Sequence, residues 1–170
     1  MKREKGFLAI KWATLTVLFL LAATAVFGQD VLVEKQLSLA LAQEAATTAI
    51  EKARKDGYKV SVTVVNRAGQ VIVQLRDDGA APHTTDTSWR KAYTALTMRA
   101  STAELAQRIA ANPGSAALKD ITDLIILGGG LPIRIGSEVI GAIGVGGAPG
   151  GDKDEACGQA GIDRIAGRLK

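Results

Sequence analysis

After Ser38 the apolar positions fall on a helical period. Leu39, Ala42, Ala46, Ala49, Ile50 and Ala53 form one stripe that ends at Lys55-Asp56-Gly57, with the glycine placed to close the helix. The period then changes to two. Val60, Val62 and Val64 alternate with Ser61, Thr63 and Val65, Asn66-Arg67-Ala68-Gly69-Gln70 reads as a turn, and Val71 to Arg76 completes a β-hairpin. A loop from Asp77 to Thr85 follows, and Thr85 or Asp86 caps a second helix through about Thr97. Ser101-Thr102-Ala103-Glu104 fits a capping box, so a further helix starts there and stops before Asn112-Pro113-Gly114.

A short segment from Ser115 to Asp120 leads into three apolar runs, Leu124 to Leu127, Leu131 to Ile135 and Val139 to Val145, which the Gly-rich turns between them mark as strands. Gly146 to Gly151 is a loop, and Asp152 or Asp154 opens a terminal helix to about Leu169. The order is helix, two strands, helices, three strands, helix. Hairpin-length connections among the last strands predict an α+β domain around a five-stranded antiparallel sheet. No internal repeat, low-complexity tract or second-domain linker interrupts it.

The N-terminal segment follows a different pattern. Lys2, Arg3, Lys5 and Lys11 precede an uncharged run from Trp12 to Phe27, the layout of an export signal. The reading is a signal peptide over residues 1–28, cut before Gln29, and a single domain over 29–170, periplasmic or extracellular, with no stable membrane anchor once cleaved. An uncleaved anchor is the alternative, since the run is long for a signal and short of the roughly 20 residues that span a bilayer comfortably. Loss of residues 1–28 removes four basic groups and Glu4, so the net charge falls from +4 to +1. The basic isoelectric point owes much to the leader, and no basic stripe with interleaved aromatics remains to indicate nucleic acid. The single Cys157 cannot form an internal disulfide and is expected to be buried between its small neighbours.

The chemistry-bearing residues cluster where the hairpin runs out. Arg76 to His83 leads into Thr84 to Ala95, which places the only histidine at the mouth of a helix, near Arg90, Lys91 and, further on, Arg99. An imidazole nitrogen is an axial ligand for haem iron, and cationic side chains suit its propionates. The competing reading is an exposed loop histidine beside a solvated helix face. Gly128-Gly129-Gly130 and Gly146 to Gly151 lack the Gly-Lys-Ser/Thr of a P-loop and read as turns, while Asp152, Asp154 and Glu155 read as helix caps in preference to metal ligands. Asp77 and Asp78 read as turn formers. No catalytic triad or Cys–His metal pattern is recognisable, which argues against an enzyme with its own catalytic constellation.

Taken together, Arg76-Asp77-Asp78-Gly79-Ala80-Ala81-Pro82, Arg90 to Ala95, Glu104-Leu105-Ala106, Gly129-Gly130-Leu131-Pro132-Ile133 and Gly141 to Pro149 resemble the HbpS/GlcG-like family of haem-binding proteins (the DUF336-type domain), and the likeness continues through Asp154-Glu155 and Ala160-Gly161. The resemblance implies a profilin-like three-layer α/β/α domain, homo-oligomers and, for secreted members, haem binding. It also implies a role for Thr102, whose position is implicated in haem contact among secreted members. The position of His83 is not uniformly histidine in the family, so its role rests on imidazole chemistry. The expectation is an exported protein that stores, buffers or transfers haem, with His83 or Thr102 near iron and Arg90, Lys91 or Arg99 near propionates. The alternative is an oligomeric sensor or interaction module that takes an organic anion in the same cleft.

Overall fold

The computed structural model describes residues 31–170, so the signal peptide expected over residues 1–28 lies outside the described residues. Helix α1 spans Leu39–Lys55, and Ser38 caps it by accepting from the Leu41 N–H. Strands β1 (Ser61–Asn66) and β2 (Val71–Arg76) form the predicted hairpin. Asn66 closes its turn, the side-chain oxygen accepting from the N–H groups of Ala68 and Gln70. Helix α2 (Thr84–Met98) and helix α3 (Thr102–Ala111) follow, and Ser101 caps α3 by accepting from the Glu104 N–H. A 3₁₀ segment covers Pro113–Asp120. Strands β3 (Gly130–Ile135) and β4 (Glu138–Gly146) lead to helix α4 (Gly151–Ile165) and a 3₁₀ turn at Ala166–Arg168.

The four strands pair antiparallel in the order β2-β1-β4-β3. Alternation in β1 sends Val62 and Val64 to one face, where they join Ile143 and Val145 of β4 under Ala42, Ala46 and Ala49 of α1 and Cys157 of α4. Each such valine or isoleucine contributes about 1.5–3 kcal/mol by leaving water. The opposite side chains, Ser61, Thr63 and Val65, are equally buried, because α2 lies on that face. Here a seam of hydroxyls replaces part of the apolar contact. Ser61 Oγ and Thr84 Oγ1 are 2.7 Å apart, Thr63 Oγ and Ser88 Oγ likewise 2.7 Å, and Gln74 Nε2 donates to Thr63 Oγ1 at 2.9 Å. The helix rests so close that a Cβ on Gly144 would stand 2.1 Å from the Ser88 carbonyl oxygen.

The sheet has four strands among the described residues, not five, because Leu124–Leu127 is not a strand. Its apolar composition is strand-like, but helix α2 satisfies its backbone. Thr94 Oγ1 accepts from the Ile125 N–H at 2.9 Å, and Arg90 Nη2 donates to the Leu124 carbonyl at 2.7 Å. Helix α2 also begins earlier than expected, with His83 at its N-cap position and neither Thr85 nor Asp86 capping it.

Candidate functional site

Helix α2 carries most of the residues singled out by sequence and distributes them over its two ends and its buried face. His83 stands exposed at the N-terminal end, and its carbonyl accepts from both the Thr87 N–H and the Thr87 hydroxyl. Beside it an open cleft of about 460 Å³ lies between β2 and α2, lined by Val71, Gln74, Pro82, Thr85, Asp86 and Trp89. Trp89 and Tyr93 pack with ring centroids 5.7 Å apart. The cleft depends on pairing an edge strand with a helix, so sequence reading missed Val71, Gln74 and Trp89. The available signal was a tryptophan next to the motif in a chain only 4% aromatic.

Lys91 is on the buried face. Its side chain is 1% exposed, and Nζ donates to Asp154 Oδ2 at 2.6 Å, so the reading of a solvated cation fails for this residue. Asp154 is correspondingly not a helix cap, because Oδ1 accepts from the Ala148 N–H at 2.9 Å and its side chain points into the core. Burial pushes the Asp154 carboxyl up, while the Lys91 ammonium and the Ala148 and Gly147 amides pull it back. Gly129 and Gly130 leave room for this pair. A Cβ on Gly129 would meet the Asp154 Cβ at 2.6 Å and Lys91 Nζ at 3.0 Å, and one on Gly130 would meet the Lys91 carbonyl oxygen at 2.2 Å.

Thr102 is fully buried, and its hydroxyl accepts from the Gly130 N–H at 2.9 Å. It therefore anchors the start of α3 to β3 and offers no oxygen to solvent within one chain. Along α2, fifteen residues lie between the N-cap position of His83 and the C-cap position of Arg99, a rise on the order of 24 Å in an α-helix. His83 and Arg99 therefore stand at opposite ends of α2, and Thr102, three positions beyond Arg99, follows the Arg99 end. Arg90 lies between the ends, about 10 Å along the axis from His83. It is partly buried, and its Nε has no hydrogen-bond partner among the described residues.

Asp77 is buried and accepts from Arg54 Nε at 2.9 Å and Nη2 at 2.6 Å, which ties the loop after β2 to α1. The Arg54 guanidinium holds its carboxyl below the usual carboxylate range. Asp77 also accepts from the Asp78 N–H, consistent with the turn-forming reading. Burial pushes Glu155 up against the opposing Ser101 hydrogen bond, and pushes the buried Cys157 thiol up to about 11. No group of three or more metal-ligating side chains occurs among the described residues, and no helix there is long and apolar enough to cross a membrane.

Known proteins are similar to this chain in sequence and in fold. Residues 37–163 match the family described as "Haem degrading protein HbpS-like". A double mutant of HbpS from Streptomyces reticuli is 44% identical and superposes with a TM-score of 0.75, covering 82% of this chain and 94% of that one. The Klebsiella pneumoniae protein ORFY is 29% identical with a TM-score of 0.74, over 84% of this chain and 98% of that one. Protein GlcG of Escherichia coli K12 is 32% identical over 109 residues, 62% of this chain and 80% of its own length. With its α+β fold, its antiparallel sheet and its matching sequence, the chain belongs to the HbpS/GlcG-like family.

Proposed function

We propose that the protein is an exported haem-binding protein that stores, buffers or transfers haem, and that haem docks at the N-terminal end of α2. The observation that carries this reading is an exposed His83 beside an open, partly apolar cleft, in a chain of the HbpS-like family. The residues there fit the group. The His83 imidazole offers a nitrogen to iron, Val71, Pro82 and Trp89 withdraw the macrocycle from water, and Gln74 braces the floor through Thr63 and the Thr85 carbonyl. Arg90 is the sequence-selected cation that remains for a propionate on the same chain, although its Nη2 donates to the Leu124 carbonyl and its Nε is buried, so it would have to swing out of this position to reach one. Lys91 is withdrawn from that role by its ion pair with Asp154, and Arg99 by its distance from His83. Bound there, haem supplies iron-centred ligand and redox chemistry, and the chain adds no catalytic constellation of its own.

The same reading includes the leader over residues 1–28, a periplasmic or extracellular location, a homo-oligomer, and a profilin-like three-layer arrangement with α2 on one side of the sheet and α1 and α4 on the other. A subunit interface would be the way for Thr102 or Arg99 of one copy to approach haem held by another. The alternative is an organic anion in the same cleft, whose lining holds Asp86 and no cation; the family match is what favours haem over it. Quenching of Trp89 fluorescence tests the placement. Haem at this end of α2 quenches it saturably at about one equivalent per subunit, whereas uptake that leaves Trp89 unchanged removes haem from the cleft.

A further inference from the structure

At the other end of α2 lies a second cavity of different character. It holds about 290 Å³ and is lined by Arg67, Gly69, Tyr93, Leu96, Thr97, Arg99 and neighbouring backbone, with Val139 closing one side. Two of the lining side chains are guanidinium groups and none is a carboxylate. One of them, Arg67, is paired with Glu138. Arg99 has no hydrogen-bond or ion-pair partner for its guanidinium among the described residues. Its backbone is held instead. Arg99 has φ 51°, in the left-handed region that a side chain occupies at a cost, and Arg134 donates to its carbonyl at 2.5 Å and to that of Ser137 at 3.2 Å. A glycine would close this helix with less strain, yet an arginine stands there, its carbonyl held by a second arginine. The facing wall is firm, because the Tyr93 ring packs against Gly69 so closely that a Cβ there would approach it to 2.9 Å.

We infer that this cavity is a binding site for a small organic carboxylate, separate from the haem cleft. A guanidinium binds a carboxylate through paired hydrogen bonds, the Tyr93 and Thr97 hydroxyls add donors, and Leu96, Val139 and the Tyr93 ring face the carbon body. The apolar side of the cavity favours an organic acid over inorganic phosphate. Its volume, at the lower bound for ligand pockets, admits a metabolite-sized acid and not a tetrapyrrole. Haem could enter only by a propionate.

Calorimetric titration of the protein with succinate, and separately with inorganic phosphate, tests this. Succinate binds saturably and more tightly than phosphate. Arg99→Gly weakens succinate binding by about tenfold or more while the melting temperature holds or rises, because glycine suits the left-handed turn and only the guanidinium is lost. Tyr93→Phe, which keeps the ring against Gly69, weakens it less. No saturable binding of succinate, or binding untouched by Arg99→Gly, overturns the site, and tighter binding of phosphate overturns the carboxylate assignment. Repeating the titration after adding haem separates the two sources of carboxylate. Undiminished succinate binding supports a separate site, and stoichiometric displacement by haem assigns the cavity to a propionate and overturns it. If haem fails to bind at all while succinate does, the haem reading falls and this one stands.

Discussion

The Lys91–Asp154 pair is the most consequential single contact in the core. Both side chains are almost wholly buried, so each charge depends on the other. Asp154→Asn leaves an ammonium without its counter-charge in the interior, and the loss expected is about 3–5 kcal/mol, read as a fall in the urea midpoint. A loss below about 1 kcal/mol would mean that water or another acceptor takes over the Lys91 ammonium. Asp77 gives the pH dependence. Its folded pKa lies below the unfolded value because of Arg54, so its contribution is present above the ordinary carboxylate pKa and is lost as pH falls through the lower folded value. Glu155, raised by burial, acts in the opposite sense, stabilising below the ordinary carboxylate range and losing that contribution as pH rises through the raised pKa. Comparing urea midpoints of the protein and of Arg54→Met from neutral pH to below about pH 4 isolates the Asp77 contribution: the gap between the two narrows on the acid side, and a gap that stays constant would remove Asp77 from the account.

At the scale of elements, the seating of α2 on the sheet is governed by glycine. Gly144→Ala drives a methyl group into the Ser88 backbone, and the helix can yield only by stretching the Thr63–Ser88 and Ser61–Thr84 hydroxyl seam. The expected cost is about 1–3 kcal/mol, about 2–9 °C in melting temperature, and thermal unfolding of the variant measures it. Elements governed by local chemistry were legible in the sequence. Ser38 and Ser101 cap where their spacing says they should, and Asn66 turns the hairpin. Leu124–Leu127 misled because its strand-like composition is local while its hydrogen-bond partners, Arg90 and Thr94, stand about thirty residues away on a helix. Lys91 misled for a related reason. A lysine on a helix reads as solvated until its partner 63 residues downstream is known. That Gly129 and Gly130 clear space for Asp154 and Lys91 becomes visible only in three dimensions.

At the scale of the molecule, α2 is an axle with different chemistry at each end. The N-terminal end carries His83 and an apolar cleft with Trp89, and the C-terminal end carries Arg99 in a cationic cavity. The family was legible from its motifs, because they recur in order across the domain. The site was legible only in part. Adjacent positions in the sequence, such as Arg90 and Lys91, point to different surroundings, and positions far apart, such as Val71 and Trp89, share a cleft. The central claim, that haem is held at the His83 end of α2, is tested most directly by titrating haem into the protein and into His83→Ala while following the Soret band. The account predicts a saturable, shifted band near one haem per subunit that is lost or displaced in His83→Ala; an identical band in both proteins, or no saturable binding to either, would contradict it.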